Sequence, residues 1–269
     1  NYTAEYLAAQ LAVAQSRLTY TAAGVNHLTW FTDVKLDGAD AIAKLRDIAR
    51  ETFAKRQEGV SPPRNLFSWQ CLDLFGAFPA VLDRHVTEFF PAQFARKDAY
   101  YGQTLGIDVY SFENTIARGD ATFAGMTKDA LSPEPLPADY FERIGGEHEQ
   151  VLDIIASLRG PTPATYSMNL PNAGQVPNLP EGAIVESPVV AMNGTVTPER
   201  LAPLDAALAG PLMAKLEWDE TIVDAALAGS RAKFVQALLI DGAPASTDDA
   251  ANLADALLAA QKAHLPQFG

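Results

Sequence analysis

The 269-residue chain has one cysteine, Cys71. A single thiol excludes an internal disulfide and any cysteine-rich zinc site, and it fits a reducing cytoplasm, the expected compartment. Histidine is almost as scarce, with only His27, His85, His148 and His264. There is no His-Glu-x-x-His pair, no Cys-x-x-Cys and no EF-hand spacing, so no metal site is written into one local stretch. The glycines at 102–106 and 145–146 fit neither the GxGxxG turn nor the phosphate loop. Without Gly-x-Ser-x-Gly, a serine-nucleophile hydrolase of that kind has no footing. No apolar run reaches the roughly 18 residues that span a bilayer, so no membrane role is expected. The opening Asn1-Tyr2-Thr3-Ala4-Glu5 lacks the basic and apolar regions of a signal peptide, and none is expected. Positive charge is also short, with 20 Lys and Arg against 33 Asp and Glu for a net charge of −13. That balance argues against nucleic acid as a partner.

What is present suits a folded domain, since 48% of residues are hydrophobic and 9% aromatic. Helical spacing of apolar residues predicts helices over 5–15, 40–54, 112–125, 139–158, 204–227, 230–240 and 247–264. The helix over 204–227 is expected to be interrupted near Gly210-Pro211. Ser61-Pro62-Pro63 marks a break. The aromatic stretch from Leu66 to Phe94 reads as buried helix broken at Gly76 and Pro79. Runs rich in β-branched and aromatic residues predict a strand from Leu18 into a Gly24 turn, a second strand over 25–32, and short strands over 164–170, 183–186 and 189–192. Together these predict one α+β domain over 1–269, helix-rich with a small mixed sheet.

Three polar groups interrupt apolar surroundings. Asn26-His27 sits inside the second strand pattern, where burying an amide and an imidazole is costly unless both find partners. The pair is either a structural hydrogen-bond pair or one facing a site. Asp83-Arg84-His85-Val86-Thr87-Glu88 is the second. If helical, it puts Arg84 and Glu88 four apart on one face, as a solvated salt bridge or as groups reaching a sugar or carboxylate. The third is Asn169-Leu170-Pro171-Asn172-Ala173-Gly174-Gln175-Val176-Pro177-Asn178-Leu179-Pro180, a loop whose prolines and asparagines hold the backbone in turns. His264, at the end of the last helix, is assigned no role in a site.

These motifs, taken in order, resemble glycoside hydrolase family 4. Ala23-Gly24-Val25-Asn26-His27-Leu28-Thr29-Trp30-Phe31 is similar to its Gly-x-Asn-His segment, and Asp83-Arg84-His85-Val86-Thr87-Glu88-Phe89-Phe90-Pro91 to a segment that follows it. The Asn172 loop with Val185-Glu186-Ser187-Pro188, and the ending from Leu257 to Phe268, fit as well. The resemblance covers essentially the whole chain and lies nearest the α-galactosidase and α-galacturonidase branch. It implies a fold similar to the C-terminal domain of lactate and malate dehydrogenases. It also implies NAD- and Mn2+-dependent hydrolysis of O-glycosidic bonds, which in this family runs through oxidation, elimination, addition and reduction rather than through two carboxylates. Carried over by position, His27 is the implied metal ligand. Asn26, Arg84, His85, Glu88 and Asn172 are implied on the substrate side. A sugar substrate and a homo-oligomer are implied as partners.

The departures carry their own expectations. The dinucleotide-binding half, with its Gly-rich turn and the NAD site, is expected to be missing from this chain. The family's second metal ligand, a cysteine upstream of Asn26, has no counterpart, and a deletion between Thr3 and Ala4 is one explanation. The base of the phospho-β-glucosidase branch follows a Gly-Ala-x-Pro, but Gly76-Ala77-Phe78-Pro79 is followed here by no tyrosine, leaving only Tyr100 or Tyr101. The alternative to an active glycosidase is a catalytically incomplete fragment that acts as a sugar-binding or oligomerisation module.

Overall fold

A computed structural model of the chain describes residues 2–56, 64–80, 82–140 and 150–269. The Ser61-Pro62-Pro63 break, His148 and most of the first half of the helix expected over 139–158 lie outside these residues. The chain begins with helix α1 (Tyr2–Gln10), strand β1 (Leu18–Thr19) and a hairpin of β2 (Ala22–Val25) and β3 (Leu28–Phe31). Strands β4 (Lys35–Leu36) and β5 (Ala39–Asp40) lead into helix α2 (Ile42–Ala54). Helix α3 (Leu66–Phe75), strand β6 (Phe78–Pro79) and the short helices α4 (Asp83–Val86) and α5 (Pro91–Phe94) follow, the last two joined by a 3-10 turn over Thr87–Phe89. Helices α6 (Phe112–Ala130) and α7 (Val151–Arg159) precede strands β7 (Ala164–Pro171), β8 (Ile184–Met192) and β9 (Thr195–Pro198). Helices α8 (Ala206–Ala228), α9 (Arg231–Asp241) and α10 (Thr247–Ala260) complete the domain. The result is the expected helix-rich α+β domain with small sheets. No helix among the described residues is long and apolar enough to cross a membrane.

The larger sheet runs β6-β3-β2-β8-β7, with β9 beside β2 on the other edge of β8 from β7. Among the described residues every ladder is antiparallel. The β2–β3 hairpin is buried on both faces and separates two cores. Ala22 and Phe31 join Leu7, Leu45, Trp69 and Phe78 on one side. Ala23, Val25, Leu28 and Trp30 join Phe67, Val185, Leu208 and Leu212 on the other. Alternate side chains along a strand point to opposite faces, so a strand buried twice reads as one unbroken apolar run.

That double burial hides the turn. The sequence places it at Gly24, with Asn26 and His27 inside a strand. The hairpin instead turns at Asn26-His27, between Val25 and its partner Leu28. Gly24 lies within β2 because the strands approach closely there. A Cβ on it would sit 2.1 Å from the Leu28 carbonyl oxygen and 2.8 Å from Thr29 Cα. The expected interruption at Gly210-Pro211 is also absent, because α8 runs unbroken with Pro211 inside it. The surrounding turn is buried at Leu208, Ala209 and Leu212. Trp30 Nε1 donates to the Leu208 carbonyl at 3.0 Å, satisfying an acceptor in the turn that the proline disturbs.

Candidate functional site

The hairpin tip carries His27 out of the sheet with φ of 74°. A β-carbon in the left-handed region costs roughly 1–2 kcal/mol, and such outliers persist where the surrounding structure holds them. Here the packed strands on either side hold the turn, and the imidazole it projects meets α4 and the turn after it. His27 Nδ1 lies 3.3 Å from Glu88 Oε2, and His85 Nδ1 lies 2.8 Å from Glu88 Oε1. The two imidazoles face each other with centroids 3.9 Å apart. One ligand atom from each of His27, His85 and Glu88 lies within 4.8 Å of the others. Side-chain exposures of 40%, 21% and 48% leave the cluster open to solvent.

Two imidazoles and one carboxylate are a donor set that suits a borderline divalent cation and leaves coordination positions free. The sequence assigned His27 to a metal and His85 and Glu88 to the sugar; the fold brings all three to one point. The expected Arg84–Glu88 ion pair does not form, because Glu88 turns to the histidines.

Asp83, which the sequence did not single out, fixes this geometry. Its carboxylate is buried and accepts from the Phe67 and Ser68 N–H groups at 2.8 and 2.7 Å, from Ser68 Oγ at 2.5 Å and from the Tyr100 hydroxyl at 2.6 Å. Asn65, at the cap position of α3, supplies no side-chain hydrogen bond. Asp83 takes over that work from another helix, satisfying the second and third amides of α3. Burial pushes its carboxyl up, while the four donors pull against that shift. Leu82, just before it, has φ of 65° and ψ of −177°, a conformation that favours glycine. Anchoring Asp83 thus sets where His85 and Glu88 project.

Beside the cluster lies a cavity of about 650 Å³ lined by His85, Glu88, Arg84, Arg96, Tyr110 and Arg118, among others. Arg84 lines this cavity together with His85 and Glu88. Arg96 and Arg118 were not anticipated. Asn26, though next to His27, is exposed and lines a separate cavity with Asn169, Lys215 and Glu217.

Asn172 is remote in kind. It is buried, its Nδ2 donates to the carbonyls of Val176, Leu179 and Pro180, and its Oδ1 accepts from Gly174 and Val176 N–H. All its hydrogen-bonding capacity closes its own loop.

Burial raises the phenols of Tyr100, Tyr101 and Tyr110, so none is an activated base. Tyr100 and Tyr101 are further committed as donors to Asp83 and Gln70. Cys71 is buried and its thiol is pushed up by burial, which keeps it out of any ligand set near His27.

The strained turn yields a test. His27→Gly is expected to be more stable than His27→Ala by about 1 kcal/mol, since glycine accepts positive φ and alanine does not. Thermal unfolding of the two variants measures it, and both lose the imidazole.

Comparison with known proteins places the chain in a family. A model of the "Family 4 glycosyl hydrolase C-terminal domain" matches residues 22–243. The chain is 24% identical over 249 residues to an α-galactosidase of Bacillus subtilis (strain 168), covering 91% of this chain and 55% of that protein. It is 26% identical over 237 residues to an α-galacturonidase of the same organism, covering 81% and 48%. Its fold resembles that of a 6-phospho-α-glucosidase from gut microorganisms solved with NAD and Mn2+, with a TM-score of 0.71 at 17% identity over 96% of this chain and 58% of that one. The chain spans about half the length of the curated relatives it matches.

Proposed function

This chain belongs to the family 4 glycosyl hydrolases, as their C-terminal domain, and from that membership we propose that it forms the metal- and sugar-binding half of a glycosidase acting on α-galactosides or α-galacturonides. The observation that carries this reading is the convergence of His27, His85 and Glu88 beside the cavity. On this reading the three residues hold a divalent cation, Mn2+ by family. A bound cation supplies Lewis acidity toward oxygens of the sugar ring, and NAD, held by residues outside this chain, supplies the redox chemistry.

The chain's own contribution is positional. His27 and His85 present ring nitrogens from two elements that Asp83 and the hairpin fix in place. Tyr110, whose phenol burial keeps protonated, offers a donor to a sugar oxygen. Arg84, on the cavity wall, orients the substrate. A second copy of the chain is part of the same proposal. It is supported by α6, which has no buried residue and exposes Phe112, Ile116, Phe123 and Met126.

The test is release of p-nitrophenol from the α-galactoside and α-galacturonide in the presence of NAD+ and Mn2+, using the chain with its dinucleotide-binding half. Turnover abolished by EDTA and by His27→Ala supports the proposal, and turnover indifferent to both contradicts it. A second reading is a binding module without turnover. It predicts Mn2+ and sugar binding with no release.

A further inference from the structure

Helix α6 runs for 19 residues without one buried residue. Its composition does not favour a helix standing alone, since Gly119 and Gly125 lie in its interior and glycine is, after proline, the poorest helix former. Helices in proteins draw most of their stability from packing an apolar face, and α6 has such a face. Phe112, Ile116, Gly119, Phe123, Met126 and Ala130 recur at steps of four, three, four, three and four, the spacing that keeps one stripe against a partner helix. The four large side chains among them are between 57% and 74% exposed. Asn114, Thr115 and Arg118, on an adjoining face of α6, line the cavity beside His85 and Glu88, so whatever holds α6 holds one wall of that cavity.

The stripe is complementary to itself. With two copies antiparallel about a two-fold axis beside Ala121, Phe112 meets the partner's Ala130, Phe123 the partner's Gly119 and Ile116 the partner's Met126. Each aromatic ring then faces a small residue, and a Cβ on Gly119 would meet nothing within 4 Å in the single chain, so the space for a ring is open. A parallel pair would instead set Phe123 on Phe123 and Gly119 on Gly119, a crowded layer beside a void. With Leu131 just beyond the helix at 80% exposure, the stripe offers roughly 600 Å² per copy. A symmetric pair thus covers about 1,200 Å², the lower end of what stable interfaces bury.

We propose that α6 pairs antiparallel with α6 of a second copy of this chain, each Phe123 seated over the partner's Gly119. This rests on the second-copy reading above and specifies its helix, its direction and its layers.

Sedimentation of the full chain tests it. About 0.15 M salt is the suitable condition, because Glu113, Asp120 and Asp129 flank the stripe and their repulsion is screened there beyond about 8 Å. A dimer is expected. Phe123→Asp and Gly119→Leu are each expected to raise its dissociation constant by about 100-fold, as loss of a central contact does, with circular dichroism showing that both variants fold. Leu227→Asp, at a leucine 82% exposed on α8, is expected to leave the dissociation constant unchanged. Gly119→Leu is the sharper variant, since leucine suits a lone helix better than glycine and weakens the pair by filling the seat of the partner's ring.

Spin labels read the direction, and the buried Cys71 keeps them on the engineered thiols. In an antiparallel pair the two copies of Ala121→Cys stand level, whereas those of Lys128→Cys lie about 21 Å apart along the helix axis at 1.5 Å per residue. A longer distance at 128 than at 121 is expected. Equal distances at the two positions, or a dimer indifferent to Phe123→Asp and Gly119→Leu, overturn this inference and leave the second-copy reading standing. A chain monomeric at every concentration overturns both.

Discussion

Glu88→Gln is expected to lower Mn2+ affinity by roughly 100-fold or more, because even groups that only support metal ligands are worth about 10–100-fold. Glutamine keeps the shape but loses the charge, and its amide N–H2 turns toward an imidazole where the carboxylate oxygen stood. His85→Ala is expected to do the same. The double variant should be little worse than either single one, since the three residues act on one ion. Stability in EDTA should barely change, because Glu88 and His27 are half-exposed and surface pairs contribute about 1 kcal/mol or less. In Mn2+ at about 100 times the wild-type Kd, the wild type gains about 2.7 kcal/mol of stability, and the variants gain about 0.4 kcal/mol or less. Thermal unfolding with and without Mn2+ reads both effects. The gain should fade on acidification, since imidazole and carboxylate bind a cation only when deprotonated.

Asp83→Asn is expected to have the largest effect on folding, a loss of about 3 kcal/mol, in line with breaking a buried, charge-assisted network. The carboxylate accepts four donors and asparagine accepts fewer. If the Asn oxygen stays with Ser68, its N–H2 meets the Phe67 N–H, a donor facing a donor inside the core. The Tyr100 hydroxyl can rotate to accept, but a backbone amide cannot. Urea denaturation measures the loss. Mn2+ affinity should fall as well, because α4 would no longer be pinned to α3. By contrast, Asn172→Ala should destabilise the chain through its loop and leave Mn2+ affinity unchanged.

Helices α2, α9 and α10 were readable in the sequence because their apolar residues recur at helical spacing and glycine or proline marks many of their ends. The hairpin was readable only as strand. Leu28-Thr29-Trp30-Phe31 is buried on both faces, so no alternation showed where the chain reverses. His27 stood out as a polar interruption, and the reason proved to be a turn rather than a buried pair. Its meeting with Glu88 spans 61 residues, a distance over which periodicity carries no information. Asp83 left one faint signal, an acidic residue directly after Leu82 inside an apolar stretch. The convergence of Arg96 and Arg118 left none, since it depends on separate stretches of chain meeting at one cavity. The asparagine- and proline-rich loop was legible as a pinned segment, and Asn172 is the residue that pins it.

The most direct test of the cation site is anomalous scattering at the manganese edge from crystals of the wild-type chain grown with Mn2+. A single peak among His27 Nδ1, His85 Nδ1 and a Glu88 carboxylate oxygen, lost in His85→Ala crystals, is the predicted result. No peak there, or a peak that persists without His85, would contradict it.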